Sequence, residues 1–109
     1  MKGQIVVIPY PFTDLSTVKV RPVIVLEELP LDVLVAYIST KIPPTLGDEH
    51  MLIETTHPEF QKTGLAADSV IYLYKLATIE KSLIEGKMGQ VGSILRKNIN
   101  DKLSSIYRI

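Results

Sequence analysis

The sequence predicts a small, mainly β (α+β) protein, in which short strands form a barrel or sandwich and one helix follows at the C-terminus. Short apolar runs alternate with Pro, Gly, Asp and Ser, a pattern that favours a small β core. Near the C-terminus the apolar residues recur at helical spacing instead. The 109 residues, 46% hydrophobic and 22% charged, fit one globular domain over 1–109.

Seven segments are predicted as strands, with boundaries good to about two to four residues. They are 4–8, 22–28, 33–39, 51–55, 69–74, 76–79 and 86–90. Residues 29–32 are expected to close a hairpin. A helical turn is expected over 57–62, with Thr56 as the candidate N-cap of the turn that follows.

The C-terminal helix is predicted over 93–107, with Ser93 as its N-cap. Its apolar residues recur at spacings of four, four and three, which places them on one face of a helix. They are Leu95, Ile99, Leu103 and Ile106. The charged residues between them are expected to face solvent.

The composition excludes several classes of protein. There are no cysteines, which rules out a disulfide framework and favours the cytoplasm. The N-terminus lacks the long apolar segment of a signal peptide, and no apolar run is long enough to span a membrane. Twelve basic and twelve acidic residues cancel, so a broad electrostatic surface for nucleic acid is not expected. A local cationic patch remains possible.

Motifs for metals and cofactors are missing, so neither is predicted. His50 and His57 lie seven residues apart, which is not the spacing of a helical metal site. A ribonuclease that uses two histidines as acid and base stays open. No phosphate-binding or dinucleotide-binding glycine motif occurs, and no serine lies in a hydrolase motif.

Arg21 is the strongest candidate for a functional residue. Pro22 holds the chain extended after it, and an apolar strand begins at Val23. We therefore expect the guanidinium at the rim of a cleft, where its fixed fork of donors could bind phosphate. On residue type alone, an ion pair with Asp14 or simple solvation is the more common explanation of such an arginine, and the spacing does not decide between them.

Several short motifs, taken in order, resemble the PemK/MazF family of toxins. They are G-Q-I-V-V at 3–7, P-F-T-D at 11–14, V-R-P and an apolar run at 20–26, V-A-Y-I-S-T-K at 35–41, T-G-L at 63–65, D-S-V-I at 68–71 and K-L-A-T-I-E-K at 75–81. The resemblance covers most of the chain. It implies a small SH3-like β-barrel with a C-terminal helix.

The resemblance also implies a sequence-selective, metal-independent endoribonuclease of the toxin type that cuts single-stranded mRNA. The ribose 2′-OH would attack, leaving a 2′,3′-cyclic phosphate and a 5′-OH. Arg21 matches the family's catalytic arginine, and Ser39 stands where the family has a catalytic threonine. If the register shifts by one residue, Thr40 takes that role instead. Further substrate-binding residues would be Asp14, Lys19, Thr40, Lys41 and Lys75.

The implied partners are a cognate antitoxin that covers the groove, a second copy of the chain in a homodimer, and operator DNA bound together with the antitoxin. The alternative is a non-catalytic module of the same fold, like the CcdB toxins that bind gyrase, or an inactivated family member. Serine in place of threonine and the zero net charge leave room for that alternative.

The aromatic residues allow two interpretations. Tyrosine and phenylalanine rings can stack RNA bases. In the segment 71–74, however, the alternation Ile-Tyr-Leu-Tyr indicates one face of a strand packed against the core or a partner. The tyrosines are therefore not among the predicted site residues.

Overall fold

The computed structural model describes residues 1–10 and 19–109. In chain order the elements are β1 (Gln4–Tyr10), β2 (Lys19–Glu28), β3 (Asp32–Ser39), β4 (His50–Ile53), α1 (Phe60–Thr63), β5 (Ser69–Glu80), a 3₁₀ turn (Lys81–Leu83), β6 (Gly86–Gln90) and α2 (Ser93–Ile106). Neither helix has the length and apolarity needed to cross a membrane.

The six strands form one antiparallel sheet in the order β4-β5-β3-β2-β1-β6. The sheet curls into half a barrel, with the helix α2 at the C-terminus. The predicted mainly β, α+β fold is thus confirmed. The predicted hairpin at 29–32 forms as well, since the backbone N–H of Leu29 donates to the carbonyl of Asp32 at 2.9 Å.

One strand replaces the two that were predicted over 69–74 and 76–79. Tyr72 pairs with Tyr37 of β3, whereas Leu76 pairs with the adjacent Ala36, so three residues of β5 bulge out between these pairs. A bulge bends a strand and turns its side chains in new directions. Lys75 lies in this bulge, and the bulge accounts for the break that the sequence suggested there.

Both faces of the sheet carry a hydrophobic cluster. On one face, α2 packs against the sheet, and the predicted apolar stripe is confirmed because Leu95 and Ile99 are buried. Leu103 and Ile106 pack at the edge of this cluster. The second cluster comes from alternate positions on the other face and consists of Val6, Ile8, Val23, Val25, Val33, Val35 and Ile79. Burial on both faces explains why the central strands are nearly continuous apolar runs.

The start of α2 is capped by a distant residue. The expected cap, Ser93, is instead the first helical residue. The carboxylate of Glu59 accepts hydrogen bonds from the backbone N–H groups of Ile94 (3.1 Å) and Leu95 (2.8 Å). Glu59 is buried, and the bond from Leu95 lowers the pKa of its carboxyl. A carboxylate at this end also complements the helix dipole.

The short helix α1 connects this cap to the sheet. The predicted turn begins later than expected, so that Glu59, and not Thr56, precedes the helix. Gly64 ends α1 with a φ of 74°, in the left-handed region that glycine adopts readily. A Cβ on Gly89 of β6 would lie 2.2 Å from the carbonyl oxygen of Lys62. Glycine therefore allows β6 to lie directly against α1.

Candidate active site

Two predicted site residues, Arg21 and Ser39, lie where β2 begins and β3 ends. Val23 of β2 pairs with Tyr37 of β3. Arg21 precedes Val23 by two residues and Ser39 follows Tyr37 by two, so both lie at the same end of these antiparallel strands. Side chains two residues apart share a face of a strand. The fold therefore places the guanidinium and the hydroxyl on the same face of the sheet.

Pro22 fits its place in β2 because of how the ladder begins. It pairs with Val7 of β1, while the pairing between β2 and β3 starts one residue later, at Val23. Proline has no N–H to donate, so it is tolerated where one side of a strand is unpaired. Arg21 is exposed just before it and makes no ion pair with any residue of 1–10 or 19–109.

The Ser39 hydroxyl is held by the turn that follows β3. Its Oγ accepts a hydrogen bond from the backbone N–H of Lys41 at 3.0 Å. This bond uses the hydroxyl as an acceptor, so its own proton remains available to a phosphate oxygen. Thr40 is exposed and follows the last residue of β3. Ser39 is therefore the hydroxyl that shares a face with Arg21.

Apart from Asp14, the remaining predicted substrate-binding residues are lysines. Lys19, Lys41 and Lys75 are all exposed, and none makes an ion pair within the described part of the chain. Lys19 lies two residues before Arg21 and thus shares its face. Asp14 lies outside the described residues.

Each histidine accepts a local backbone hydrogen bond, and the two lie in different elements of the fold. The Nδ1 of His50 accepts a bond from the backbone N–H of Gly47, and that of His57 accepts one from Glu59, each at 3.0 Å. His50 belongs to β4, whereas His57 lies in the turn before α1. In residues 1–10 and 19–109, no three His, Asp or Glu side chains are grouped closely enough to hold a metal ion.

Three aromatic residues that are not among the predicted site residues lie near this end of the sheet. His50 pairs with Tyr72 across β4 and β5, and Tyr72 pairs with Tyr37 of β3. Tyr72 therefore shares a face with Ser39. The rings of His50, Tyr72 and Tyr74 contact each other edge to face, with centroids 5.4 to 5.9 Å apart. The alternation in 71–74 indicated a shared face but not what lay on it.

The arrangement suits a phosphodiester. An arginine offers two parallel donors to phosphate oxygens, and a nearby hydroxyl offers a third. Lys19, Arg21, Lys41 and Lys75 have no carboxylate partner in residues 1–10 and 19–109, so their charges are available to attract a polyanion. These groups can bind the anionic backbone of a nucleic acid and stabilise extra charge on one of its phosphates.

Comparisons with known proteins agree with the motifs. A family model described as PemK-like, MazF-like toxin of type II toxin-antitoxin system matches residues 1–107. No curated protein matches the sequence.

Solved structures share the fold at low sequence identity. An endoribonuclease from a mycobacterial species, in complex with its cognate antitoxin, is 14% identical with a TM-score of 0.70, over 96% of this chain and 91% of that one. The Mycobacterium tuberculosis toxin MazF-mt6 is 18% identical with a TM-score of 0.69, over 94% and 93%. MazE-MazF from Deinococcus radiodurans is 15% identical with a TM-score of 0.68, over 96% and 92%.

Proposed function

The chain belongs to the PemK-like, MazF-like family of toxins of type II toxin-antitoxin systems, and we propose that it is a sequence-selective, metal-independent endoribonuclease acting on single-stranded RNA. The observation that carries this proposal is the position of Arg21 and Ser39 on one face of the sheet. RNA contains its own nucleophile, the ribose 2′-OH, so the protein has to orient the phosphate, move protons and stabilise charge.

In the proposed reaction, the 2′ oxygen attacks the adjacent phosphorus and gives its proton to water, while the bond from phosphorus to the 5′ oxygen breaks. The 5′ oxygen takes up a proton and leaves as a hydroxyl, and a 2′,3′-cyclic phosphate remains. Arg21 clamps two phosphate oxygens and offsets the charge that builds up on them. Ser39 donates its hydroxyl proton to orient the same phosphate. Arg21, Lys19 and Lys75 are the candidates for the proton donor.

We also propose an antitoxin as the regulatory partner. A disordered, acidic segment could bind across the exposed cations at this end of the sheet, at the cost of its ordering entropy. One of the similar structures is an endoribonuclease with its cognate antitoxin, which supports this partner. A homodimer, and operator DNA bound together with the antitoxin, belong to the same proposal.

The test is cleavage of a long single-stranded RNA in EDTA by the wild type, Arg21→Ala and Arg108→Ala. Arg108 is an exposed arginine near the C-terminus and serves as the matched control. We expect cuts by the wild type and Arg108→Ala that leave 5′-OH ends. Loss of Arg21 should reduce the rate by about 10²- to 10³-fold, the usual cost of removing one donor to a charged transition state.

Two outcomes would overturn the proposal. If the wild type cut none of a varied set of RNAs, the fold would be serving as a binding module. If Arg21→Ala cut as fast as the wild type, with circular dichroism showing both folded, the catalytic centre would lie elsewhere.

A further inference from the structure

The aromatic cluster of His50, Tyr72 and Tyr74 has the geometry of a binding surface. Each pair of rings meets nearly at right angles, with interplanar angles of 75° to 81°. Edge-to-face contacts of this kind are a favoured arrangement of aromatic rings and orient the three side chains. Tyr74 nevertheless remains 49% exposed, so the cluster presents an aromatic ring to solvent.

Lys75 places a positive charge on this cluster. Its Nζ lies 4.7 Å from the centroid of the Tyr72 ring and 5.9 Å from that of Tyr74. The bulge in β5 allows this arrangement, because it turns a residue that directly follows Tyr74 back over the rings. An ammonium group next to an exposed ring is the combination with which proteins hold a nucleotide, the ring for the base and the charge for the phosphate.

Hydrogen bonds connect the cluster to the proposed catalytic residues. The hydroxyl of Tyr72 donates to the carbonyl oxygen of Lys41 at 2.7 Å, and the N–H of Lys41 donates to Ser39 Oγ at 3.0 Å. Val70 is the residue of β5 paired with Ser39. Tyr72 is two residues further along, a distance of about 7 Å in a strand. The cluster thus lies close enough for a neighbouring nucleotide of the same RNA strand.

We infer that Tyr74 and Lys75 form a nucleobase-stacking subsite, which holds one base of the RNA beside the phosphate bound by Arg21 and Ser39. The inference rests on the proposed function. Tyr74 stacks on the base, Lys75 contacts a phosphate of the same nucleotide, and Tyr72 positions both Lys75 and the turn at Lys41. Because every base has a π face, the subsite fixes the register of the strand more than the identity of the base.

The experiment uses a fluorescein-labelled RNA that the wild type cuts, protected by a 2′-O-methyl group at the cut nucleotide. Binding is measured by fluorescence anisotropy for the wild type, Tyr74→Leu and Tyr74→Phe. Loss of one stacked base costs about 5- to 100-fold in affinity, and we expect that loss for Tyr74→Leu. Tyr74→Phe keeps the ring, so its loss should be smaller.

A second set of RNAs, each with one abasic nucleotide, locates the stacked base. In the wild type, one abasic position near the cut should weaken binding as much as Tyr74→Leu does. Combining the two changes should add no further loss, because they remove the same contact.

Several results would overturn the inference. If the wild type cleaves RNA but Tyr74→Leu binds the protected RNA as tightly, the subsite is wrong and the nuclease stands. If Tyr74→Leu reduced the affinity by the same factor for every abasic RNA, a single stacked base would also be excluded. If the wild type cuts no RNA, the proposed function fails, and this inference fails with it.

Discussion

Among the described residues, charged side chains form ion pairs at one end of β2 but not at the other. At the C-terminal end, Glu27 lies 3.1 Å from the ammonium of Lys2, and Glu28 lies 2.7 Å from Lys81 and 2.9 Å from the amino group of Met1. At the N-terminal end, Lys19 and Arg21 are exposed and have no carboxylate partner in residues 1–10 and 19–109.

This difference shows why a zero net charge says little about binding to nucleic acid. At the first end both carboxylates lie 2.7 to 3.1 Å from cations, so most of the charge there is paired. At the second end, Lys19 and Arg21 have no such partner among the described residues, so their charges are available to a polyanion. Ion pairs at a protein surface contribute little stability, so the lack of such pairs within the described part of the second end costs the fold little.

The largest expected effect is on the rate of RNA cleavage, and it concerns the Ser39 hydroxyl near the end of β2 whose cations have no carboxylate partner among the described residues. We expect Ser39→Ala to slow RNA cleavage by about 10- to 100-fold, the value of a hydrogen bond to a charged group. Ser39→Thr keeps the hydroxyl and should retain most of the rate. Single-turnover cleavage assays measure both variants, with Ser82→Ala in the 3₁₀ turn as the control. A normal rate for Ser39→Ala with a slow Thr40→Ala would move the role to Thr40.

A smaller effect separates the cations of the two ends. Lys41→Gln should weaken RNA binding and reduce the slope of log affinity against log salt by about 0.7, the contribution of one phosphate contact to single strands. Lys81→Gln removes a lysine that is already paired with Glu28 and should leave the slope unchanged. Anisotropy titrations at several salt concentrations test this difference. Equal slopes for the two variants would mean that both ends contact RNA, or that neither does.

The smallest effect concerns the acid stability of the paired end. The ammonium of Lys81, and then that of Met1, lowers the pKa of Glu28 from 4.5 to about 2. A lowered pKa means stabilisation that is present above about pH 4.5 and is lost as the pH falls towards 2. Glu28 is exposed and its two partners are only partly buried, so we expect only a few degrees of thermal stability to be lost in this range.

Glu28→Gln removes the titrating group and should flatten this part of the pH profile of thermal unfolding. Glu54→Gln, an exposed carboxylate next to β4, is the control and should leave the profile as it is. A profile for Glu28→Gln with the same slope as the wild type would show that the ion pair does not contribute in solution.

Much of the fold was predictable because it depends on local periodicity. Alternating and continuous apolar runs predicted the regions of all six strands, and the apolar stripe from Leu95 to Ile106 predicted α2. The bulge in β5 was not predictable, because it depends on how β5 pairs with both β3 and β4. The cap of α2 was missed for a similar reason, since Glu59 lies 35 residues before Ile94 in the chain.

The candidate site, likewise, was predictable only in part. Arg21 and Ser39 were identified through the family motifs, and Arg21 was also indicated by the proline that follows it. The grouping of Tyr72, Tyr74 and His50 was not predicted, because it requires the register of β4 with β5 together with the bulge. A short segment of sequence shows what each side chain can do chemically, but not which distant side chains lie next to it in space.

The sequence by itself determined the mainly β class, the C-terminal helix, the absence of cysteine chemistry and the family. These follow from composition, period and motif order, which are properties of short segments. Only the tertiary structure decided which cations are paired and which are not, which carboxylate caps α2, and which rings surround Lys75. Those contacts join residues far apart in the chain, and strand register and packing bring them together.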